Sequence, residues 1–207
     1  YKGYLQGPIV KGRVGFIASG GYWKQDENAF VHATVLAPST LNLEALWIAI
    51  PTPTTVESRS AQLDVKLGNS LINTSYTRNI ERNRNLGLQS GFDLEEHGYD
   101  RRANDEVGRL WWTLISGHTV NDFRVEVSRG SAATVALATT PAVLVLDAFN
   151  AGGNQTAGTD RLIEGLQAGD TVTKQSGRHT IKAGAQVELT RQNSIDRSGF
   201  GGTYLFG

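Results

Sequence analysis

The chain contains no cysteine, no methionine and only five prolines, and its formal charges cancel. Without cysteine there is neither a disulfide framework nor a thiolate metal site. The 20 basic residues against 20 acidic ones leave no basic excess of the kind that marks a nucleic-acid-binding face, so no nucleic-acid partner is expected. The longest apolar runs, Leu46 to Ile50 and Ala142 to Leu146, fall far short of the ~18 residues a transmembrane helix needs. That excludes a helical membrane protein. It leaves a membrane β-barrel open, because barrel strands alternate and score only moderately on hydropathy. No basic segment leads into an apolar one at the N-terminus, so no signal peptide is visible. Beginning at Tyr1 and stopping in mid-pattern at Gly207, the chain reads as a piece of something longer.

What is present is turn-rich β composition, with 24 glycines and plentiful Thr, Asn and Ser. The clearest stretch is Gly177 to Leu189. Ile181, Ala183, Ala185, Val187 and Leu189 share one parity; Lys182, Gln186 and Glu188 share the other. Period-2 alternation of this kind predicts a strand with one apolar and one polar face. The same pattern recurs. Ala61, Leu63, Val65 and Leu67 alternate with Ser60, Gln62, Asp64 and Lys66, and Phe123, Val125 and Val127 alternate with Arg124, Glu126 and Ser128. Further strands are predicted over 1–10, 14–23, 71–78, 107–116 and 162–173. Gly20 and Gly21 imply a bulge or a close approach by another segment.

Tight turns are predicted at Lys11 to Arg13, Gly68-Asn69, Gly117-His118 and Ser176 to Arg178. Long connections are predicted over 29–55, 83–105 and 138–160. The first holds Pro38, Pro51 and Pro53, and Ser39 or Thr40 is placed to cap a short helix from Leu41 to Ile48. The polar run from Asn79 to Asn85 is expected to leave the sheet. Short turns thus alternate with long loops, the arrangement of an outer-membrane barrel. A half-buried antiparallel sheet of a soluble secreted protein, such as an adhesin or a carbohydrate-binding or carbohydrate-active β-sandwich, alternates in the same way and is the rival reading.

Chemistry-bearing clusters are few. Asp93, Glu95, Glu96, His97 and Asp100 gather oxygen ligands of the kind that suit a hard cation or a cationic ligand, but their spacing fits no EF-hand. Arg78, Arg82, Arg84, Arg101 and Arg102 border the same loop and read either as an anion or lipopolysaccharide-phosphate contact or as a mixed-charge rim. His32, His97, His118 and His179 have no metal-ligand spacing. No nucleophile-elbow, phosphate-loop or dinucleotide pattern is present, so no catalytic residue, cofactor or metal is assigned and no enzyme is expected. Trp23, Trp111, Trp112, Tyr204 and Phe206 suit interfacial aromatic girdles. Trp111 and Trp112 are adjacent, so only one of them can face lipid.

Several segments taken together resemble TonB-dependent outer-membrane receptors, in particular the subfamily with an N-terminal carboxypeptidase-regulatory-like domain. They are GYLQGPIVKGRVGF at Gly3 to Phe16, DENAFVHATVL at Asp26 to Leu36, VLDAFNAGGNQTAG at Val145 to Gly158, GRHTIKAGAQ at Gly177 to Gln186 and SGFGGTYLFG at Ser198 to Gly207. The aromatic triplet usual after the first turn is Val14-Gly15-Phe16 here. Nothing resembles the plug, the TonB box, the regulatory domain or the closing strand. The resemblance implies an all-β, antiparallel up-and-down meander belonging to a transmembrane barrel of about 22 strands. Residues 1–207 would supply about eight of those strands as an open curved sheet. It implies an outer-membrane location, with lipid and lipopolysaccharide around the barrel. It also implies uptake of an unidentified extracellular small ligand (siderophore, glycan or peptide) driven by the TonB complex through the plug. On this reading Phe123, Val125, Val127, Ile181, Ala183, Ala185, Val187 and Leu189 face lipid. Asp93, Glu95, Glu96, His97, Asp100, Arg101 and Arg102 are the loop candidates for meeting the ligand.

Overall fold

The computed structural model describes residues 1–37 and 39–207, so Pro38 of the first long connection lies outside the described residues. In chain order the strands are β1 (Lys2–Val10), β2 (Val14–Gln25), β3 (Asn28–Leu36), β4 (Leu43–Pro51), β5 (Thr54–Leu67), β6 (Ser70–Leu86) and β7 (Tyr99–Ser116). They continue as β8 (Thr119–Ala136), β9 (Ala142–Val145), β10 (Phe149–Ala151), β11 (Thr159–Ser176), β12 (His179–Asp196) and β13 (Thr203–Phe206). Among the described residues one 3-10 turn, Glu95–His97, is formed, just before β7.

Eight strands form one open antiparallel sheet in the order β1-β2-β5-β6-β7-β8-β11-β12. The tight turns are where the sequence predicts them. Gly68 and Gly117 open two-residue hairpin loops at φ 57° and 56°. The left-handed backbone there suits the twist of the flanking strands, and a side chain would strain it. Every tight turn lies at one end of this sheet. Every long connection lies at the other, and two of them carry small sheets of their own, β3-β4 and β10-β9 with β13.

Two expectations need correction. Leu41 to Ile48 is not a helix. Leu46, Ile48 and Ile50 alternate with Ala45, Trp47 and Ala49, and this period-2 pattern makes β4, paired residue for residue with β3. Pro51 ends that strand. Nor does the polar run Asn79 to Asn85 leave the sheet. β6 continues to Leu86 and β7 begins at Tyr99, so the connection shrinks to residues 87–98. A strand paired on both sides needs no continuous apolar parity; here Ile80 and Asn83 are buried, one on each face, among polar neighbours. Its backbone pairs with β5 and β7 while Arg78, Glu81 and Arg82 find partners across the strands. The Gly20-Gly21 pair keeps β2 in regular register with β5. Its cause is close approach, since a Cβ on Gly21 would meet Ser58 Oγ at 2.8 Å. The register shift falls in β1 instead, between Pro8 and Val10, on an edge strand where a missing N–H costs least.

Opposed residues in register share a face, so the pairing lays out rows across the sheet. Toward the tight turns, one face carries a mixed row of Leu67, Ser70, Leu114, Asn121, Val172 and Ala183, and then Val14, Val65, Ile72, Trp112, Phe123 and Ala185. The next rows hold Phe16, Leu63, Leu110, Val125 and Val187, then Ala18, Ala61, Tyr76, Val127 and Leu189. Asp170 interrupts this apolar belt, and Asn121 Nδ2 donates to its carboxylate at 2.7 Å. The row after that changes character abruptly: Arg59, Arg78, Glu106, Arg129, Glu164 and Arg191. The opposite face is polar throughout its middle, with Asp64, Asn73, Trp111, Arg124 and Gln186 in one row and Gln62, Arg109, Glu126 and Glu188 in the next. It holds a hollow of about 860 Å³ lined in part by Asp64, Asn73, Trp111 and Arg124.

Candidate functional site

The long connections fold onto one another as a cap at the end of the sheet remote from the tight turns. β3 and β4 present one face to it, and Val31, Ala33, Ile50 and Leu88 form its core with Leu94 and Phe149 packed against them. Val31 is 1% exposed. Backbone bonds stitch the connections together: His32 N–H donates to Gly91 O at 2.7 Å, Thr34 N–H to Ala148 O at 3.0 Å, and Asn150 N–H to Phe92 O at 2.9 Å. The segment after β12 joins last. β13 runs parallel to β9, pairing Tyr204 with Val143 and Leu205 with Leu144.

The acidic cluster between β6 and β7 lies in this cap, and most of its groups are occupied by the chain itself. Asp93 is 5% exposed. Its carboxylate accepts from Ser90 N–H at 2.8 Å and from Asn150 Nδ2 at 2.8 Å. Burial pushes that carboxyl up, but the hydrogen bonds from Asn150 and Ser90 outweigh it and hold the carboxyl below the usual aspartate range. Glu96 accepts from Gly152 N–H at 3.0 Å. His97, 8% exposed, places Nδ1 3.2 Å from Gly152 O, and its own carbonyl accepts from Asn154 Nδ2 at 2.8 Å. Asp100 accepts from Asn85 N–H at 3.1 Å, and Arg101 donates to Glu81 at 2.9 Å. Arg102 stands opposite Arg82 on the belted face. Glu95 opens the 3-10 turn and is exposed. Among the described residues no three His, Asp or Glu side chains converge in a way that could hold a metal ion.

Sequence reasoning missed the other half of these ties. Asn150, Gly152 and Asn154 lie more than fifty positions from the cluster, with the resemblance in VLDAFNAGGNQTAG the only pointer to them, while Ser90 stands three residues before Asp93. It also missed the outer face of the β3-β4 hairpin. There His32 stacks on Trp47 with ring centroids 4.1 Å apart, and Trp47 is 72% exposed. A second hollow, of about 480 Å³, opens between β8, the 137–158 connection and the segment after β12, with Thr134, Thr140, Asn154, Gln155, Asp160 and Arg197 among its lining. Polar groups of this kind suit a hydroxyl-rich or amide-bearing ligand.

The expected lipid-facing residues stand together. Phe123, Val125 and Val127 of β8 and Ala185, Val187 and Leu189 of β12 flank β11 on the belted face, with Ile181 and Ala183 nearer the turn. Trp111 and Trp112 point to opposite faces. Trp112 lies in the belt between Ile72 and Phe123, and Trp111 lies on the polar face with the Arg124 guanidinium 5.4 Å from its ring centroid.

Compared with protein-family models, curated proteins and solved structures, the chain matches none.

Proposed function

We propose that this chain is a sector of an outer-membrane β-barrel of the TonB-dependent receptor type, a transporter component rather than an enzyme. The observation that carries the reading is the belt. Between Ser116 and Glu106 of β7 lie about nine residues, or about 30 Å of strand at ~3.3 Å each. At a barrel's tilt that is roughly 20–25 Å of height, close to the ~25 Å apolar band of an outer-membrane barrel. Below the belt are only tight turns; above it the strands continue for several charged residues into the cap. A soluble half-buried sheet has no cause to confine its apolar rows to one half of one face. On this reading the tight turns face the periplasm, the polar face lines a plugged lumen, and the cap meets the extracellular ligand. The 480 Å³ hollow and the Trp47 platform are the surfaces open to it. The family motifs in the sequence support the same placement.

The test is a pair of substitutions in the complete receptor, Val125→Lys within the belt and Val135→Lys above it on the same face. A lysine at mid-belt should cost roughly 2–4 kcal/mol and one near the interface about 0–1 kcal/mol. Outer-membrane assembly, read by heat-modifiable gel mobility, should fail for the first and survive for the second. Normal assembly of Val125→Lys sinks the membrane reading and favours a soluble β-sheet protein.

A further inference from the structure

Two pairs of arginines face each other directly across strands on the belted side: Arg59 with Arg78, and Arg82 with Arg102. Like charges directly opposite one another in a sheet repel. The chain supplies only part of the compensation. Glu57 sits 2.5 Å from Arg82 and 3.4 Å from Arg59, and Glu106 sits 3.1 Å from Arg78. Among the described residues no carboxylate comes within ion-pair distance of Arg102. Four guanidiniums thus share two carboxylates on adjacent strands β5, β6 and β7. The quartet begins in the row immediately above the belt's last apolar row of Ala61, Tyr76 and Gly108. Each outward step is two residues, or about 5 Å of height at a barrel's tilt. The arginines therefore span the level at which the headgroup of a lipid packed on the belt would lie.

We propose that Arg59, Arg78, Arg82 and Arg102 form a binding site for the phosphate of a membrane-lipid headgroup. The site rests on the membrane reading above and narrows the phosphate contact expected of the arginines beside the 87–98 connection to four residues, Arg59 among them. The chemistry fits a phosphate better than a carboxylate or a lone halide. A guanidinium's paired N–H donors match two oxygens of a carboxylate or a phosphate, but a phosphate has a further oxygen and a second charge that can serve the opposed arginine as well. Arginine's long aliphatic stem lets its charged end reach a headgroup from a position at the edge of an apolar belt. The Arg102 side of the quartet, lacking a carboxylate, is where the anion would be held most directly, and the opposed Arg82 would close on the same phosphate.

The experiment uses the complete receptor in a neutral detergent, titrated with a phosphorylated glycolipid and, separately, with the same glycolipid lacking phosphate. Bound lipid is counted by native mass spectrometry. The double variant Arg59→Gln/Arg102→Gln removes the least-paired members of the quartet and leaves the Arg78–Glu106 and Arg82–Glu57 bridges in place. Arg161→Gln, an exposed arginine on the opposite face, controls for the loss of charge. Wild type and Arg161→Gln should retain the phosphorylated lipid, and the double variant should bind it about tenfold more weakly or worse. The unphosphorylated lipid should bind all three alike, and inorganic phosphate at the same concentration should not displace the phosphorylated lipid. Equal retention by wild type and double variant overturns the site, as does equal retention of the two lipids. Displacement by inorganic phosphate alone overturns the lipid as its source. If the receptor assembles in the membrane but lipid retention is unchanged in the variant, this inference fails and the barrel reading stands. If Val125→Lys assembles normally, the barrel reading fails first.

Discussion

Asn150 Nδ2 donates to the Asp93 carboxylate at 2.8 Å, joining two connections whose residues lie 57 positions apart. The bond is nearly buried and has a second donor in Ser90 N–H. It sits beside the paired backbone bonds Leu94 N–H to Asn150 O and Asn150 N–H to Phe92 O, both 2.9 Å. Asp93→Ala leaves these donors without their acceptor in a dry place, so the junction should weaken by about 1–3 kcal/mol. Faster hydrogen exchange at the Leu94 and Asn150 amides, with β7 and β8 unchanged, is the expected reading.

The same carboxylate makes the cap acid-sensitive. Its folded pKa is lowered, so its contribution is complete above the unfolded value of about 3.9 and is lost as pH falls through the lower folded value. Between pH 6 and pH 3 the cap should loosen in the wild type. Asp93→Asn should be looser at pH 6 and show a flatter profile. Identical pH profiles for the two proteins, measured by proteolytic nicking within residues 87–98, would refute the assignment.

Gly152 separates backbone strain from collision. At φ 73°, a Cβ there would stand 2.1 Å from Pro141 O. Gly91, at φ 80°, has nothing within 4 Å of the same added atom. Gly91→Ala should cost only the left-handed penalty of ~1–2 kcal/mol. Gly152→Ala should cost clearly more, because Pro141 must move and the bond from Gly152 N–H to Glu96 moves with it. Local stability from hydrogen exchange across residues 138–154 gives the comparison, and equal costs would mean that Pro141 yields freely.

Trp111 and Trp112 offer a neighbouring pair of probes for the two faces. If the belt faces lipid, single-tryptophan variants of the protein reconstituted with brominated acyl chains should show Trp112 quenched strongly and Trp111 little. The first lies among Ile72 and Phe123, the second against Arg124. Equal quenching would place both faces in the same medium and contradict a lumen on the polar side.

How much of this was legible depended on which faces are apolar. β5, β8 and β12 announce themselves because one parity is apolar for several residues in succession. β4 was misread because leucine, alanine and isoleucine suit a helix as well as a strand, and the cap's tertiary pairing decided between them. The upper half of β6 was missed for a different reason. Ile80 stands alone among polar residues from Asn79 to Asn85, so neither parity carries an apolar run, and the strand's cross-strand partners Glu57, Glu106 and Arg101 come from other strands. The cap's ties were illegible as contacts because Asp93, Asn150 and Gly152 are ordinary loop residues until the chain brings them together. The expected tight-turn positions held because the hairpin geometry is local.

The parallel pairing of β13 with β9 sets an order on assembly. Hairpins closed by two-residue turns need only near neighbours and can form as soon as their strands exist, whereas β13 must find a partner some sixty residues earlier, at a larger loop-closure cost. The strands can therefore zip outward from their turns while the connections are still loose. The last piece to settle is the cap that β13 fastens, so folding ends at the side of the sheet remote from the tight turns.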